Sequence, residues 1–301
     1  MQKSIWGWRE EDMCQKIENV ILTEMKKRSR CENVELKRIY LGKSTAVNYC
    51  IKTFEKFLFA KVYEGMCDMR FQAIKYIYDK NVKLIKPYYD FQVSTEKRCM
   101  VLEWISGENV HINLENAERI VSILKELHSV QVPVKMPCNN MQEELEYYMR
   151  FIKNNLLSFK HKDEILDYLI QNIGLCRNVY AFTHMDVHIG NFIQCDGEIY
   201  LIDYENMSIT DPWRDFVYAV FFHDPIEDAF WLWIIKRYFG DKIPENFWEI
   251  MKYYCYMQLL RMIICEYKKG SINKIEEIVS SIDRGFSLES DRPKWIIEYN
   301  I

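Results

Sequence analysis

The chain has 301 residues, 49% of them hydrophobic, and a formal net charge of −4 at pH 7. This length suits one two-lobed unit or two modest domains, with ample apolar material for a core. Because no run of about 18 apolar residues and no basic stripe with interleaved aromatic residues occurs, we expect no membrane span and no nucleic acid partner.

The ten cysteines form no CxxC pair and are scattered through core-like segments of the chain. Their spacing does not match that of a structural zinc site. Together with the absence of a signal-peptide pattern, it indicates reduced thiols in a cytoplasmic protein.

The first predicted elements are a helix from Glu10 to Lys27 and strands near residues 34–63. Between two of these strands, Gly42 permits a tight turn, and Ser44 and Thr45 offer N–H and hydroxyl donors to a phosphate. An ordinary hairpin loop explains this segment equally well.

The strand from Phe57 to Tyr63 carries Lys61 in the middle of an aromatic face. A lone charge in such a place is costly unless it meets an anion. We therefore expect Lys61 to bind an anionic group. The alternative is a surface strand whose lysine extends into solvent.

A helix near residues 66–79 and strands near 87–94 and 98–105 are predicted next. Apolar residues then recur at three- and four-residue spacing from Ala117 to Leu127, which is typical of an amphipathic helix. His128 directly follows this helical pattern, and we expect it to be a buried, hydrogen-bonded structural residue.

The segment from His184 to Asn191 places Asp186 five residues before Asn191, and a second acid, Asp203, follows a further apolar run. Phosphoryl transfer from a nucleotide uses such a set. One carboxylate orients the attacking hydroxyl, while an asparagine and a second carboxylate hold Mg²⁺ on the phosphates.

A hairpin is predicted between these residues, because Asp196 and Gly197 form a two-residue turn signal between two apolar runs. A tight turn would bring Asn191 and Asp203 out side by side at the open end of the hairpin. Two oxygen ligands suit a hard cation such as Mg²⁺. The alternative is an ordinary hairpin with polar flanks.

Asp211 and Pro212 form a helix-start signal, since the aspartate caps and the proline needs no N–H in the first turn. A plain cap explains Asp211 but not Asp215. From Phe221 onward the chain is rich in aromatic residues, for which helical core packing is the default explanation.

These motifs resemble the aminoglycoside phosphotransferase family of small-molecule kinases, with choline kinases as close relatives. The resemblance runs from about Leu41 to about Phe222. It implies an α+β, bilobal protein-kinase-like fold with a small antiparallel-sheet N-lobe and a mainly helical C-lobe. We expect residues 1–105 to form the nucleotide-binding N-lobe, residues 106–301 the C-lobe, and residues 101–107 the hinge.

The resemblance also implies roles for single residues. Asp186 would be the catalytic base and Asn191 and Asp203 the Mg²⁺ ligands. The nucleotide, ATP or GTP, would be bound by Lys61 on its α- and β-phosphates, by Ser44 and Thr45 in a phosphate loop, and by backbone groups of Glu103 and Ile105 at the hinge. Supporting positions around the catalytic residues would be His184, His188, Glu205 and Asp215, the last of which would brace the catalytic loop.

Three features depart from the family pattern. Met185 stands where the family usually has glycine. The helix after the Lys61 strand lacks the glutamate that usually pairs with the lysine, so Gln72 or Asp68 would have to substitute. Glu205 adds a second acid after Asp203 and could contact the metal or a water.

Charge divides at the predicted hinge. Residues 1–105 hold 20 Lys and Arg against 14 Asp and Glu, a net +6, which leaves −10 for the remainder. This balance fits an anionic nucleotide and a cationic small-molecule acceptor, although chance surface composition would give it too. The candidate acceptor-binding acids are Glu143, Glu146, Asp224 and Glu227.

The sequence favours an aminoglycoside or amino-sugar acceptor because of these acids. The runner-up is choline or ethanolamine, which the aromatic residues would suit through cation–π contacts. A non-catalytic nucleotide-binding protein of the same fold is a second alternative, which the intact Asp186, Asn191 and Asp203 disfavour.

Overall fold

The structure is a computed structural model that describes residues 5–40, 47–64, 69–222, 226–240, 242–285, 293 and 295–296. By Cα proximity the chain forms two compact units. The first comprises Met1–Glu108 and Gln194–Glu205, and the second comprises Asn109–Ile193 and Asn206–Ile301. The predicted domain division between residues 105 and 106 stays a prediction.

The first unit is built on a five-stranded antiparallel sheet with the strand order β1-β2-β3-β5-β4. The elements are α1 (Ile5–Ser29), β1 (Glu35–Ile39), β2 (Val47–Lys52), β3 (Phe57–Glu64), α2 (Met69–Tyr78), β4 (Pro87–Gln92) and β5 (Lys97–Glu103). The predicted leading helix, the strands and the helix between them are therefore confirmed, with the predicted helix near 66–79 described from Met69 onward.

One face of this sheet packs against α1. Ile17, Ile21 and Met25 of the helix are buried in one cluster with alternate residues of β3, which are Leu58, Ala60 and Val62. Because strand side chains alternate, the residues between them, Phe57, Phe59 and Lys61, lie on the opposite face. The period-two pattern thus leaves Lys61 on the sheet face that α1 does not cover.

The predicted hairpin is present as β8 (Phe192–Cys195) and β9 (Glu198–Leu201). Asp196 and Gly197 both have positive φ, 51° and 78°, as a two-residue type I′ turn requires. Strand β9 also pairs with Leu84, because the Leu201 N–H donates to the Lys83 carbonyl at 3.1 Å. These contacts join β9 to the first unit.

The second unit is mainly helical. Its helices are α3 (Leu114–Ser129), α4 (Met141–Asn154), α5 (Lys162–Gln171), α6 (Val217–Phe221), α7 (Asp228–Tyr238), α8 (Phe247–Lys268) and α9 (Asn273–Gly285). Helix α8 is buried on nearly all sides and packs against α4, α5, α6 and α9. Most aromatic residues of the last third are core residues, as expected, including Phe247, Tyr253 and Tyr254.

Short strands supplement these helices. Strand β7 (Ala181–Thr183) pairs antiparallel with β10 (Ser208–Thr210), and β6 (Glu108–Asn109) joins β8 and β9 in a three-stranded sheet. The mainly helical character agrees with the prediction, but these short strands were not predicted. Elements of two or three residues are too short to show the alternation that identifies a strand.

The helix start at Asp211 is confirmed as a cap, although the element is a 3-10 helix (Pro212–Phe216) that leads into α6. The Asp211 side chain accepts from the Trp213 N–H at 2.9 Å and from the Tyr254 hydroxyl at 2.7 Å. The α+β class is confirmed. Within the described residues, no helix has the length and apolar character needed to cross a membrane.

Candidate active site

The candidate residues fall in both compact units. In the first unit, the Lys61 Nζ lies 2.7 Å from Asp203 Oδ1 and 2.7 Å from Glu205 Oε2. The lysine side chain is 13% exposed, whereas the two carboxylates are 34% and 32% exposed. Lys61 therefore meets anions, as expected, and these anions are two partly accessible carboxylates.

This arrangement identifies partners for Lys61 that the sequence did not suggest. The sequence left the partner of Lys61 open, with Gln72 and Asp68 as candidates to replace the missing helix glutamate. Asp203 and Glu205 pair with the lysine, and Asp68 lies outside the described residues. Both acids follow β9, which belongs to the same compact unit as Lys61.

Neighbouring side chains define the surface around Lys61. Asn48 on β2 lies directly opposite it in the sheet register and is buried, and Phe59, two residues earlier on the same face, is half-buried. Since directly opposite residues of an antiparallel pair share a face, Asn48, Phe59 and Lys61 form one continuous strip. The strip offers a ring, an amide and a cation.

The predicted hinge residues follow β5. The Glu103 N–H donates to the Lys86 carbonyl at 2.9 Å, so a contact from the Glu103 backbone to a nucleotide base would use its carbonyl oxygen. Ile105 is half-buried in a segment without regular structure. The predicted phosphate-loop residues Ser44 and Thr45 lie outside the described residues.

In the second unit, the buried Asp215 holds the start of the 184–191 loop. Its Oδ2 accepts from the His184 N–H at 3.0 Å and its Oδ1 from the Met185 N–H at 2.6 Å. The His128 Nε2 lies 2.9 Å from Oδ2, and its Nδ1 lies 2.8 Å from the Tyr238 hydroxyl. The expectation that His128 is a buried, hydrogen-bonded residue is confirmed.

Met185 has a φ of 66°, in the left-handed region that favours glycine. This conformation gives a physical reason for the glycine that the family usually has there. The Met185 N–H is one of the two that Asp215 binds, so the left-handed turn and the buried carboxylate belong to one arrangement.

Asp186 and Asn191 are joined within the same loop. The Asn191 Nδ2 donates to the backbone carbonyl of Asp186 at 2.8 Å, which leaves Oδ1 as the remaining polar atom of that side chain. Asn191 is buried, whereas Asp186 is half-buried. The hydrogen bond fixes the backbone of Asp186 while its carboxylate stays accessible.

His188 has contacts both within the loop and to α6. Its Nδ1 accepts from the Gly190 N–H at 3.2 Å, and its ring stacks on Tyr218 with centroids 4.6 Å apart. A Cβ at position 190 would come within 3.0 Å of the His188 ring, so the glycine allows this cap. Tyr218 in turn lies 4.6 Å from Phe222, which extends the rings into a row along α6.

Two polar residues near Asp186 were not anticipated. The Asn206 Nδ2 lies 3.5 Å from Asp186 Oδ2, and the Asn206 Oδ1 accepts from Arg261 Nη2 at 2.6 Å. Arg261 is in the middle of α8, 75 positions after Asp186, so no local motif could have pointed to it.

The acids expected to bind the acceptor occupy different environments. Glu143 and Glu146 are exposed on α4, where Glu146 accepts from the Gln142 amide at 3.1 Å. Glu144 between them is instead paired with the buried Arg214, at 2.8 Å and 3.2 Å. Burial raises the pKa of Glu144, but Arg214, the Tyr148 hydroxyl and Arg261 together lower the pKa to a net decrease.

Glu227 lies beside the ring row. Its Oε2 accepts from the Trp231 Nε1 at 2.8 Å. Burial raises the pKa of Tyr218, and the negative charges of Asp186 and Glu227 add to this shift, which places both acids near that ring. Asp224 lies outside the described residues.

The described residues contain no cluster of three or more His, Cys, Asp or Glu side chains placed to hold a metal ion. A cluster of this kind is not required for Mg²⁺, which is usually bound by one or two carboxylates together with substrate phosphates. The assignment of Asn191 and Asp203 as metal ligands therefore stays a prediction.

The fold and these residues define a phosphotransferase with the protein-kinase-like fold of small-molecule kinases. A sequence model of the phosphotransferase enzyme family, APH, matches residues 67–247, and the chain belongs to this family. The resemblance inferred from the motifs is thereby confirmed, and so are the kinase-like fold and the expectation of an enzyme.

A curated relative is the "Protein LicA homolog" of Mycoplasma capricolum subsp. capricolum (strain California kid / ATCC 27343 / NCTC 10154). It is 25% identical over 146 residues, which are 46% of this chain. The match spans 58% of the relative, somewhat more than half of its length.

Solved structures of similar fold include spectinomycin phosphotransferase APH(9)-Ia in complex with ADP and spectinomycin, at a TM-score of 0.66, 14% identity, and coverage of 91% of this chain and 95% of that one. Aminoglycoside phosphotransferase APH(4)-Ia matches at 0.67, with 14% identity and coverage of 90% and 97%. The gentamicin–APH(2")-IIa complex matches at 0.63, with 18% identity and coverage of 89% and 96%.

Proposed function

We propose that this phosphotransferase moves the γ-phosphoryl group of ATP or GTP to a hydroxyl of a small cationic acceptor, with Mg²⁺ on the nucleotide. The acceptor oxygen forms a bond to the γ-phosphorus while the bond to the β-phosphate oxygen breaks. The nucleoside diphosphate leaves, and the hydroxyl proton passes to Asp186. The observation that carries the proposal is the 184–191 loop, whose backbone is held by hydrogen bonds at His184, Met185 and Asp186 while Asp186 is only half-buried.

The first unit would bind the nucleotide. A phosphate contact for Lys61 is supported by its ion pairs with two carboxylates, because phosphates are also oxyanions. The half-buried Phe59 ring on the same strand face could stack on the base. The Glu103 carbonyl and the Ile105 N–H would contact the edge of the base, with Ser44 and Thr45 near the phosphates.

Asp203 and Asn191 would hold the metal ion. Both side chains offer a carboxylate or amide oxygen, the ligand type that Mg²⁺ prefers. A bound Mg²⁺ would neutralise charge on the phosphates during transfer. Glu205, which shares Lys61 with Asp203, would be the nearest additional acid and could hold a water of the metal shell.

For the acceptor, the contacts around Asp186 favour a compact amino alcohol, such as choline or ethanolamine, over a polycationic aminoglycoside. The rings of His188, Tyr218 and Phe222 form a row beside Asp186, and Glu227 adds one carboxylate. Rings with one nearby acid suit a single cation through cation–π attraction. Glu144 is unavailable because it is paired with Arg214.

One specific observation favours an aminoglycoside acceptor instead. Glu143 and Glu146 are exposed on α4 and could attract several ammonium groups. An aminoglycoside acceptor would make the protein an antibiotic-resistance enzyme. The proposal further includes a cytoplasmic location, where ATP and GTP are available.

The test is phosphate transfer by the purified protein with Mg²⁺ and ATP or GTP, over choline, ethanolamine, spectinomycin, hygromycin B and gentamicin. Mass spectrometry of the acceptor should show the gain of one phosphoryl group. Asp186→Asn should lower kcat by about 10²-fold or more, the typical scale for a positioned general base. Asp167→Asn, an exposed acid on α5, is the matched control and should keep full turnover.

Salt dependence separates the two acceptor classes. A polycation bound by several partly exposed acids should show an acceptor KM that rises steeply with NaCl, because such pairs are screened beyond about 10 Å at 0.1 M salt. A single cation among aromatic rings should respond weakly. If no acceptor gains phosphate while Mg²⁺-nucleotide still binds, the proposed transfer is wrong.

A further inference from the structure

Asp186 also has a side-chain contact from outside the 184–191 loop. Asn206 belongs to the short turn Tyr204–Asn206 that follows β9, and its Nδ2 lies 3.5 Å from Asp186 Oδ2. The Asn206 Oδ1 accepts from Arg261 Nη2 at 2.6 Å. The amide therefore lies between the carboxylate and the guanidinium.

The arginine determines how this amide is oriented. A guanidinium carries only donors, so the amide atom that faces it must be the oxygen. The amide nitrogen is then the atom that faces Asp186, and it can only donate. With a neutral or absent side chain at position 261, the amide could rotate and present its oxygen to the carboxylate, which would repel it.

Arg261 is itself held in place by its surroundings. It is half-buried in α8, whose flanking residues Leu259, Leu260, Ile263 and Ile264 are core residues. It also lies near Glu144: burial raises the pKa of that carboxyl, while Arg214 first and Arg261 after it lower the pKa to a net decrease. The guanidinium thus projects from a rigid element rather than from a loop.

We propose that Arg261 and Asn206 are positioning residues, which hold one oxygen of the Asp186 carboxylate so that the other accepts the proton of the acceptor hydroxyl. The inference rests on the proposed function of Asp186. The 3.5 Å separation fits this role, because hydrogen bonds to catalytic groups are often long before substrate binds and shorten in the reacting complex.

The experiment compares Arg261→Met, Asn206→Ala and the double variant by steady-state kinetics with the best acceptor. Each single variant should lower kcat by about 10-fold or more, the range for losing a hydrogen bond to a charged group. The nucleotide KM should be unchanged, since Asn206 and Arg261 are hydrogen-bonded to each other and to Asp186, which is proposed to act on the acceptor. The double variant should be no slower than the slower single variant, because both changes break the same chain of contacts.

Matched variants separate positioning from folding. Arg261→Lys keeps a donor and should retain more turnover than Arg261→Met, while Arg150→Met, an exposed arginine on α4, should match wild type. Circular dichroism and thermal unfolding verify that each variant is folded. If Arg261→Met does not fold, the kcat of Asn206→Ala, which is a smaller change, tests the positioning role.

Unchanged kcat in folded Arg261→Met or Asn206→Ala would overturn the inference while leaving the kinase assignment intact. Additive losses in the double variant, or an equal loss in Arg261→Lys and Arg261→Met, would also overturn it. If wild-type protein transfers phosphate to no acceptor, both the proposed function and this inference fail.

Discussion

Two groups of carboxylates in this protein are held in opposite ways. Asp215 is fully buried and saturated: two backbone N–H groups and the His128 ring contact its two oxygens. Asp203 and Glu205 are about one-third exposed and share a single lysine. The first arrangement suits a fixed structural anchor, whereas the second leaves carboxylate oxygen atoms that an incoming metal ion could reach.

The difference shows that charge alone does not identify a ligand-binding acid. A buried carboxylate with all its hydrogen bonds made has nothing left to offer a ligand, and losing it leaves its partners unsatisfied. A partly exposed carboxylate paired with one flexible lysine can exchange that partner. The comparison therefore predicts that substitution in the partly exposed group chiefly lowers activity. Substitution of the buried Asp215 should chiefly lower stability.

The largest expected effect is on activity, in Asp203→Ala. Removing this proposed metal ligand should abolish the Mg²⁺-dependent part of nucleotide binding and lower turnover by about 10³-fold, because metal stabilisation of transferring phosphate is worth several kcal/mol. Stability should hardly change, since the side chain is partly exposed. Titration calorimetry of ATP with and without Mg²⁺ measures the effect. An unchanged response to Mg²⁺ would remove Asp203 from the proposed metal ligands.

The matching prediction for the buried group is Asp215→Ala. The change leaves two backbone N–H groups and a histidine without their acceptor inside the protein, and we expect a loss of about 3–5 kcal/mol in the free energy of unfolding. Urea denaturation measures it. Asp163→Ala, an exposed acid on α5, serves as the control. A stability loss no larger than that of the control would contradict the anchor role.

A smaller effect is expected for Lys61→Met, which keeps the length of the side chain and removes its charge. Nucleoside triphosphate should bind about 10- to 100-fold more weakly, the scale of a lost charge-assisted hydrogen bond, while adenosine or guanosine binds unchanged. Equal weakening of nucleoside and nucleotide would indicate a folding defect instead. Fluorescence titration of both ligands separates the two outcomes.

The smallest expected effect is a pH dependence that extends the comparison to Glu144. This acid is paired with Arg214, and the pKa of Glu144 is lowered in the folded protein despite its burial. Its contribution to stability is therefore fully present above the ordinary glutamate pKa and is lost as pH falls through the lowered folded value. Glu144→Gln should flatten this part of the acid-unfolding profile, as followed by circular dichroism, relative to wild type.

Local patterns in the sequence were sufficient for much of the fold. The alternation around Lys61, the turn at Asp196 and Gly197, and the cap at Asp211 each depend on neighbours within a few residues. The strands β7 and β10 escaped detection because three residues carry too little pattern and their pairing joins positions about 25 residues apart.

The candidate site was less predictable, because several of its contacts join residues that are far apart in the sequence. The motif around Asp186 and Asn191 is local, so its residues could be chosen from the sequence, although their roles stay predictions. The pairing of Lys61 with Glu205 spans 144 positions, and Arg261 lies on a helix whose other residues form core. A polar residue in an apolar helix gives no indication of which distant side chain it will meet.

The return of residues 194–205 to the first compact unit has a consequence for how the protein can form on the ribosome. The five-stranded sheet is synthesised early, but Asp203, Glu205 and the β9 strand beside Leu84 emerge about a hundred residues later. Until then Lys61 has neither of its carboxylates. The first unit therefore cannot be completed in order of synthesis, and a fragment cut after residue 105 would lack both carboxylates that pair with Lys61.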